Sequence, residues 1–143
     1  MTLVKQVFPV QQSSPKIKNV LYLTQTAAGF PAPGDDLIEK ALDLNDLLID
    51  NPTATFFVKV QGDSMEGAKI FSGDILVVDR SVSSVSGKIV VAAVYGEMVV
   101  KRLKITPGKT QLVSEQSGYD PILITDNDDC FVWGVVVGCV RVL

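Results

Sequence analysis

The sequence predicts a mostly β domain, a twisted and partly closed sheet with a short helical lead and a mobile N-terminal arm. Three observations predict it. After Pro52, short apolar runs recur, each bounded by turn residues such as Ser72-Gly73 and Tyr95-Gly96. Between Asp35 and Asp50, apolar residues repeat every three to four positions. Before Asp35 the chain carries Pro9, Pro15, Pro31 and Pro33, with a Gln-Gln-Ser-Ser patch and no helical period. The chain divides into an arm over 1–28, a linker with short helices over 29–55, and a β-rich domain over 56–143.

In chain order, Val7-Phe8 and Val20 to Leu23 are short apolar pieces able to pair as edge strands within an otherwise extended arm. Leu37, Ala41, Leu44 and Leu48 mark the helical lead; Asp43 is placed to cap a second short turn, and Asn51-Pro52 ends the segment. Phe56 to Val60 is a strand running into Gly62, and Asp74 to Asp79 is the next. Lys88 to Val94 and Glu97 to Leu103 flank Tyr95-Gly96 as a hairpin. Further strands fit Gln111 to Ser114, Pro121 to Thr125 and Cys130 to Val140.

At 143 residues and 47% hydrophobic composition, one domain with a real core is expected. The longest apolar run, Cys130 to Val140, has 11 residues and two glycines, against the ~18–20 that span a bilayer. Lys16 and Lys18 precede a four-residue apolar stretch, too short for the ~7–15 of a signal peptide. A cytoplasmic protein without a membrane partner is therefore expected. Cys130 and Cys139 are nine apart and face opposite sides of one strand, which reads as two small buried hydrophobes. With no histidine and no CxxC, neither a metal site nor a cofactor is expected. The net charge of −3 divides unevenly: residues 1–28 hold Lys5, Lys16 and Lys18 and no acid, leaving −6 on the remainder. An acidic body without a basic stripe argues against nucleic acid as a direct ligand and for protein partners.

The candidate chemistry lies in Gly62-Asp63-Ser64-Met65 and Lys101 of Met98-Val99-Val100-Lys101-Arg102-Leu103. Ser64 follows a strand and a Gly-Asp pair, where a tight turn can expose its hydroxyl. Because the chain lacks histidine, a nucleophilic serine needs another base, and a half-buried lysine is the usual substitute. On the strand, Glu97, Val99, Lys101 and Leu103 share one face, so Lys101 is the lysine bracketed by apolar neighbours. Burial there lowers its pKa and leaves neutral amine to take a proton. The strand pattern alone also fits a lysine snorkelling at a sheet edge; Lys104, beside Ile105, is the weaker candidate. Ala28-Gly29 is a small-small junction upstream, suited to being cut.

Taken together, Gly-Asp-Ser-Met, Ser72-Gly73-Asp74-Ile75-Leu76-Val77-Val78-Asp79 and Val99-Val100-Lys101-Arg102-Leu103 resemble the S24 self-cleaving serine peptidases, the LexA/UmuD family. Asp43 to Ile49, Pro52 to Lys59 and the 35-residue interval from Gly29 to Ser64 are most similar to the UmuD-type branch, over roughly residues 28 to 140. The resemblance implies a LexA- and signal-peptidase-like fold. It implies Ser64 as nucleophile on the Ala28-Gly29 carbonyl, Lys101 as general base and then acid, and backbone N–H groups of Asp63 and Ser64 as oxyanion donors. It further implies a homodimer, a RecA–single-stranded-DNA filament as co-protease, removal of residues 1–28, and a Y-family (UmuC-like) polymerase subunit as partner in translesion synthesis. UmuD-type proteins often carry Cys where Ala28 stands, and Glu66 to Phe71 departs in detail.

Three other classes compete. A repressor with the same peptidase domain needs a DNA-binding module that 28 residues with Pro9 and Pro15 cannot supply. A type I signal peptidase needs a membrane anchor. A non-catalytic binding module of the same fold would carry Ser64 and Lys101 as relics.

Overall fold

The computed structural model describes residues 1–11, 41–125 and 129–143. Among these, eight strands form one antiparallel sheet: β1 Leu3–Pro9, β2 Thr55–Gln61, β3 Ile75–Asp79, β4 Ile89–Val94, β5 Glu97–Thr106, β6 Lys109–Val113, β7 Ile122–Ile124 and β8 Cys130–Val140. Their order is β1-β2-β3-β8-β4-β5-β6-β7, and β1 pairs also with β5. The closing contact is Leu3 against Val99, backed by the Val100 N–H donating to the Thr2 carbonyl at 2.9 Å. Six strands thus come round on themselves while β6 and β7 extend the far side. This is the partly closed, mostly β architecture that the turn spacing predicts.

β5 is buried on both faces, which decides where its lysine goes. Val100 joins a cluster with Val58, Val60, Met65, Leu76 and Val91. Val99 and Leu103 join a second with Val90, Ala92, Leu112 and Val135. Alternation along the strand therefore sends Lys101 to the Val99–Leu103 side, while Lys104 is exposed.

The arm is docked at its start. β1 lies along the full length of β2, from Leu3↔Gln61 to Pro9↔Phe56; without it β2 and β5 would each show an unpaired edge at this corner. In place of a mobile arm throughout, residues 3–9 are an edge strand, the pairing that Val7-Phe8 suggested. Residues 12–40, with Lys16, Lys18, Ala28 and Gly29, lie outside the described residues. The second short turn of the helical lead is α1, Leu44–Leu48, capped by Asp43, whose side chain accepts from the Asn45 N–H; Leu37 lies outside the described residues, and Ala41 is not helical. Five residues bury little, and Leu44 and Leu47 stay 59% exposed; Leu48 reaches β8, over Gly138. Among the described residues no helix is long and apolar enough to cross a membrane.

Cys130 and Cys139 are both free, and only Cys130 is buried. The expectation of two buried thiols fails at Cys139, near the end of β8, whose Sγ lies beside Asp74, 3.6 Å from Oδ2. Asp74 itself is buried and held by two Arg141 bonds of 2.7 Å, from Nε and Nη2, and by the Phe71 N–H at 2.9 Å. The Arg141 guanidinium holds its carboxyl below the usual range, against the opposing cost of burial. We expect Asp74→Asn to cost about 2–3 kcal/mol at neutral pH, the worth of charged hydrogen bonds. The folded pKa is the depressed one, so this stability is present above the unfolded carboxyl's ~3.9 and fades as pH falls through the folded value. Urea denaturation of both proteins from pH 2 to 7 checks it: the two curves should converge in acid.

Candidate active site

β2 delivers the chain to Gly62, whose φ of +116° suits glycine. A Cβ there would stand 2.2 Å from the Met1 carbonyl oxygen, so glycine also admits residues 1–2 against this loop. Asp63 and Ser64 follow, then Met65, sunk into the core, and a 3-10 turn over Glu66–Ala68. The loop is strapped from outside by Glu115. Its N–H donates to the Ser64 carbonyl at 2.8 Å, and its carbonyl accepts from the Gly67 N–H at 2.8 Å. Anchored at Met65 and at Glu115, Ser64 is fully buried.

Lys101 is also fully buried, the largest side chain to be so among the described residues. Its Nζ donates to Ser114 Oγ and stands 5.4 Å from the centroid of the Tyr119 ring, within cation–π reach. No carboxylate pairs with it among the described residues, and burial pushes its pKa below the ordinary lysine value. The parity argument that singled out Lys101 rather than Lys104 agrees with this placement.

The two candidates come to one corner without bonding each other among the described residues. Ser64 Oγ accepts from the Thr2 N–H at 2.6 Å and donates to Thr2 Oγ1 at 3.0 Å. Tyr119 donates its hydroxyl to Asp63 and accepts from the Met1 amino group at 3.0 Å. That bond raises the Tyr119 pKa and lowers that of Asp63, whose own N–H also bonds its carboxylate. Thr2, Ser114 and Tyr119 are site neighbours that the sequence reading did not single out. For Ser114 a signal was present: the β5–β6 hairpin turns at Pro107-Gly108, and its register, carried one step beyond Arg102↔Val113, sets Ser114 opposite Lys101. For Thr2 there was none, since its place depends on a pairing across more than fifty residues. Ala28 and Gly29 lie outside the described residues. So does any contact they make with Ser64. Among the described residues no group of three or more acidic or cysteine side chains gathers as metal ligands would.

Residues 20–137 match the Peptidase S24-like family. The chain is 38% identical over 115 residues to Protein MucA of Salmonella typhimurium, covering 80% of this chain and 79% of that one. It is 44% identical over 99 residues to Protein SamA of Salmonella typhimurium strain LT2, covering 69% and 67%. Protein ImpA of Salmonella typhimurium is 46% identical over 87 residues, covering 61% and 60%. The chain belongs to the Peptidase S24-like family, a family of self-cleaving serine peptidases. Within it, the chain is a UmuD-type accessory protein of SOS mutagenesis.

Proposed function

We propose that Ser64 and Lys101 are a catalytic dyad that cuts this chain at Ala28-Gly29. The observation that carries the reading is the pair of fully buried side chains at one corner, the lysine without a carboxylate partner among the described residues. An amine so placed loses its proton more readily than one in water. It takes the Ser64 proton as Oγ attacks the Ala28 carbonyl carbon, then returns a proton to the Gly29 nitrogen as the peptide bond breaks. Backbone N–H groups of Ser64 and Asp63 hold the oxyanion, that of Asp63 after exchanging its own carboxylate for it. Water, activated by the neutral amine, then releases the acyl-enzyme.

On this reading residues 1–28 are a removable arm, residues 29–55 a linker and 56–143 the peptidase domain. A RecA–single-stranded-DNA filament acts as co-protease, and the shortened form, a homodimer, joins a Y-family polymerase subunit in translesion synthesis. The exposed Leu42, Leu44 and Leu47 offer apolar surface for such partners. The Thr2 bond on Ser64 favours a second reading, a non-catalytic module in which the pair is a relic. Incubation with activated RecA filament, followed by mass spectrometry, separates the two. The expected product starts at Gly29 and carries a formal charge of −6, visible on ion exchange. A new N-terminus more than two residues away would sink the cleavage site, and an uncut chain would favour the relic.

A further inference from the structure

A hydroxyl has one proton to donate, and Ser64 gives its proton to Thr2 Oγ1. Lys101 Nζ, the group that must receive that proton in the dyad reading, is turned to Ser114 Oγ instead. Both arrangements are built in. Thr2 is fully buried, with its N–H on Ser64 Oγ at 2.6 Å and its carbonyl on the Val100 N–H at 2.9 Å. It is bound on one side to the nucleophile loop and on the other to the residue before Lys101. Ser114 precedes Glu115, which is strapped to the Ser64 carbonyl and the Gly67 N–H, so its backbone cannot drift from the dyad.

We propose that Thr2 and Ser114 are positioning residues of the dyad, holding the Ser64 hydroxyl and the Lys101 amine on separate partners until residues 1–2 leave the site. This rests on the catalytic reading above. Departure of residues 1–2 frees the Ser64 proton. The same step breaks the Val100 N–H bond to the Thr2 carbonyl that backs the closure of the sheet, so the corner opens to a peptide as the dyad engages. Ser114 then sets how firmly the amine holds its last proton, because an oxygen acceptor favours the ammonium. Among the described residues, the other titratable groups near this amine are Tyr119, bonded to Asp63 and the Met1 amino group, and Glu115, paired with Arg102. None of these is altered by the substitutions below.

The test is self-cleavage of the full chain without filament, from pH 6 to 11, with far-UV dichroism on each variant. Thr2→Val keeps the shape and the N–H of residue 2 but removes the acceptor of the Ser64 proton. It should cleave about three- to tenfold faster at every pH, the worth of one neutral hydrogen bond, with the midpoint of the profile unmoved. Thr2→Ser, which keeps the hydroxyl, should match the unmodified chain, and Thr2→Ala stands in if the valine variant does not fold. Ser114→Ala should shift the midpoint to lower pH, and Ser114→Thr should restore it; a merely structural Ser114 would lower stability and leave the midpoint alone. A folded Thr2→Val or Thr2→Ala no faster than the unmodified chain, or a Ser114→Ala midpoint that stays put, overturns the proposal. Ser64→Ala is the control for the reading beneath it: if that variant cleaves, the dyad itself is wrong. If the unmodified chain is silent and Thr2→Val cleaves, the proposal stands; silence in both overturns it together with the dyad.

Discussion

Ser64→Ala and Lys101→Met are each expected to reduce self-cleavage by about a thousandfold or more, with the double variant no worse than either. Non-additivity is the diagnostic part. In the proposed dyad hydroxyl and amine act in one proton transfer, so once either is gone the other has nothing left to contribute. Methionine is the better replacement for Lys101 because the structure makes this lysine the largest fully buried side chain. Alanine would leave a cavity and confuse lost chemistry with lost packing. Methionine fills nearly the same volume and removes the cost of burying an amine, so the variant should unfold no more easily than the parent. Lys104→Ala, on an exposed side chain, should cleave at close to the normal rate. Rates come from gel densitometry at pH 10, with dichroism as the folding control. Normal cleavage by Lys101→Met would remove the lysine from the mechanism, and loss in Lys104→Ala instead would move the role there.

Much of this corner is legible from the sequence because its determinants are local. Strand parity puts Lys101 with Val99 and Leu103, and the second core cluster holds those two residues. Cys130 to Val140 reads as one strand and is β8 from end to end. Asp43 as a cap needs only its own neighbours and is found capping. What escapes is set by pairings distant in the chain. β1 gains its partners from β2 and β5, and nothing in a proline-bearing arm announces that Thr2 will meet Ser64. The apolar stripe reaches past α1 at Ala41, which is not helical, for the converse reason. Periodicity shows what a helix could bury, while Leu44 and Leu47 are left exposed by the described residues.

On the proposed dyad, self-cleavage without filament is expected to accelerate as pH rises from 7 and to level off below the ordinary lysine value of about 10.4. Only the neutral amine accepts the Ser64 proton. Its population grows about tenfold per pH unit while pH is below the pKa and then saturates. Burial pushes the Lys101 pKa down, which moves the plateau to lower pH than an exposed lysine would give. The chain has no histidine, so the inflection near pH 6.5 that an imidazole base produces has no source here. The bond to Asp63 pushes the Tyr119 pKa up, opposite in direction to the shift of Lys101. A filament that desolvates Lys101 further lowers its pKa again, so stimulation is greatest at neutral pH and the stimulated profile is flatter. The measurement is a series of initial rates from pH 6 to 11, with and without activated filament, on protein shown by dichroism to stay folded. A flat or falling rate in folded protein would exclude Lys101 as the base. Equal stimulation at every pH would leave the base in place and show that the filament acts by docking the cleavage segment instead.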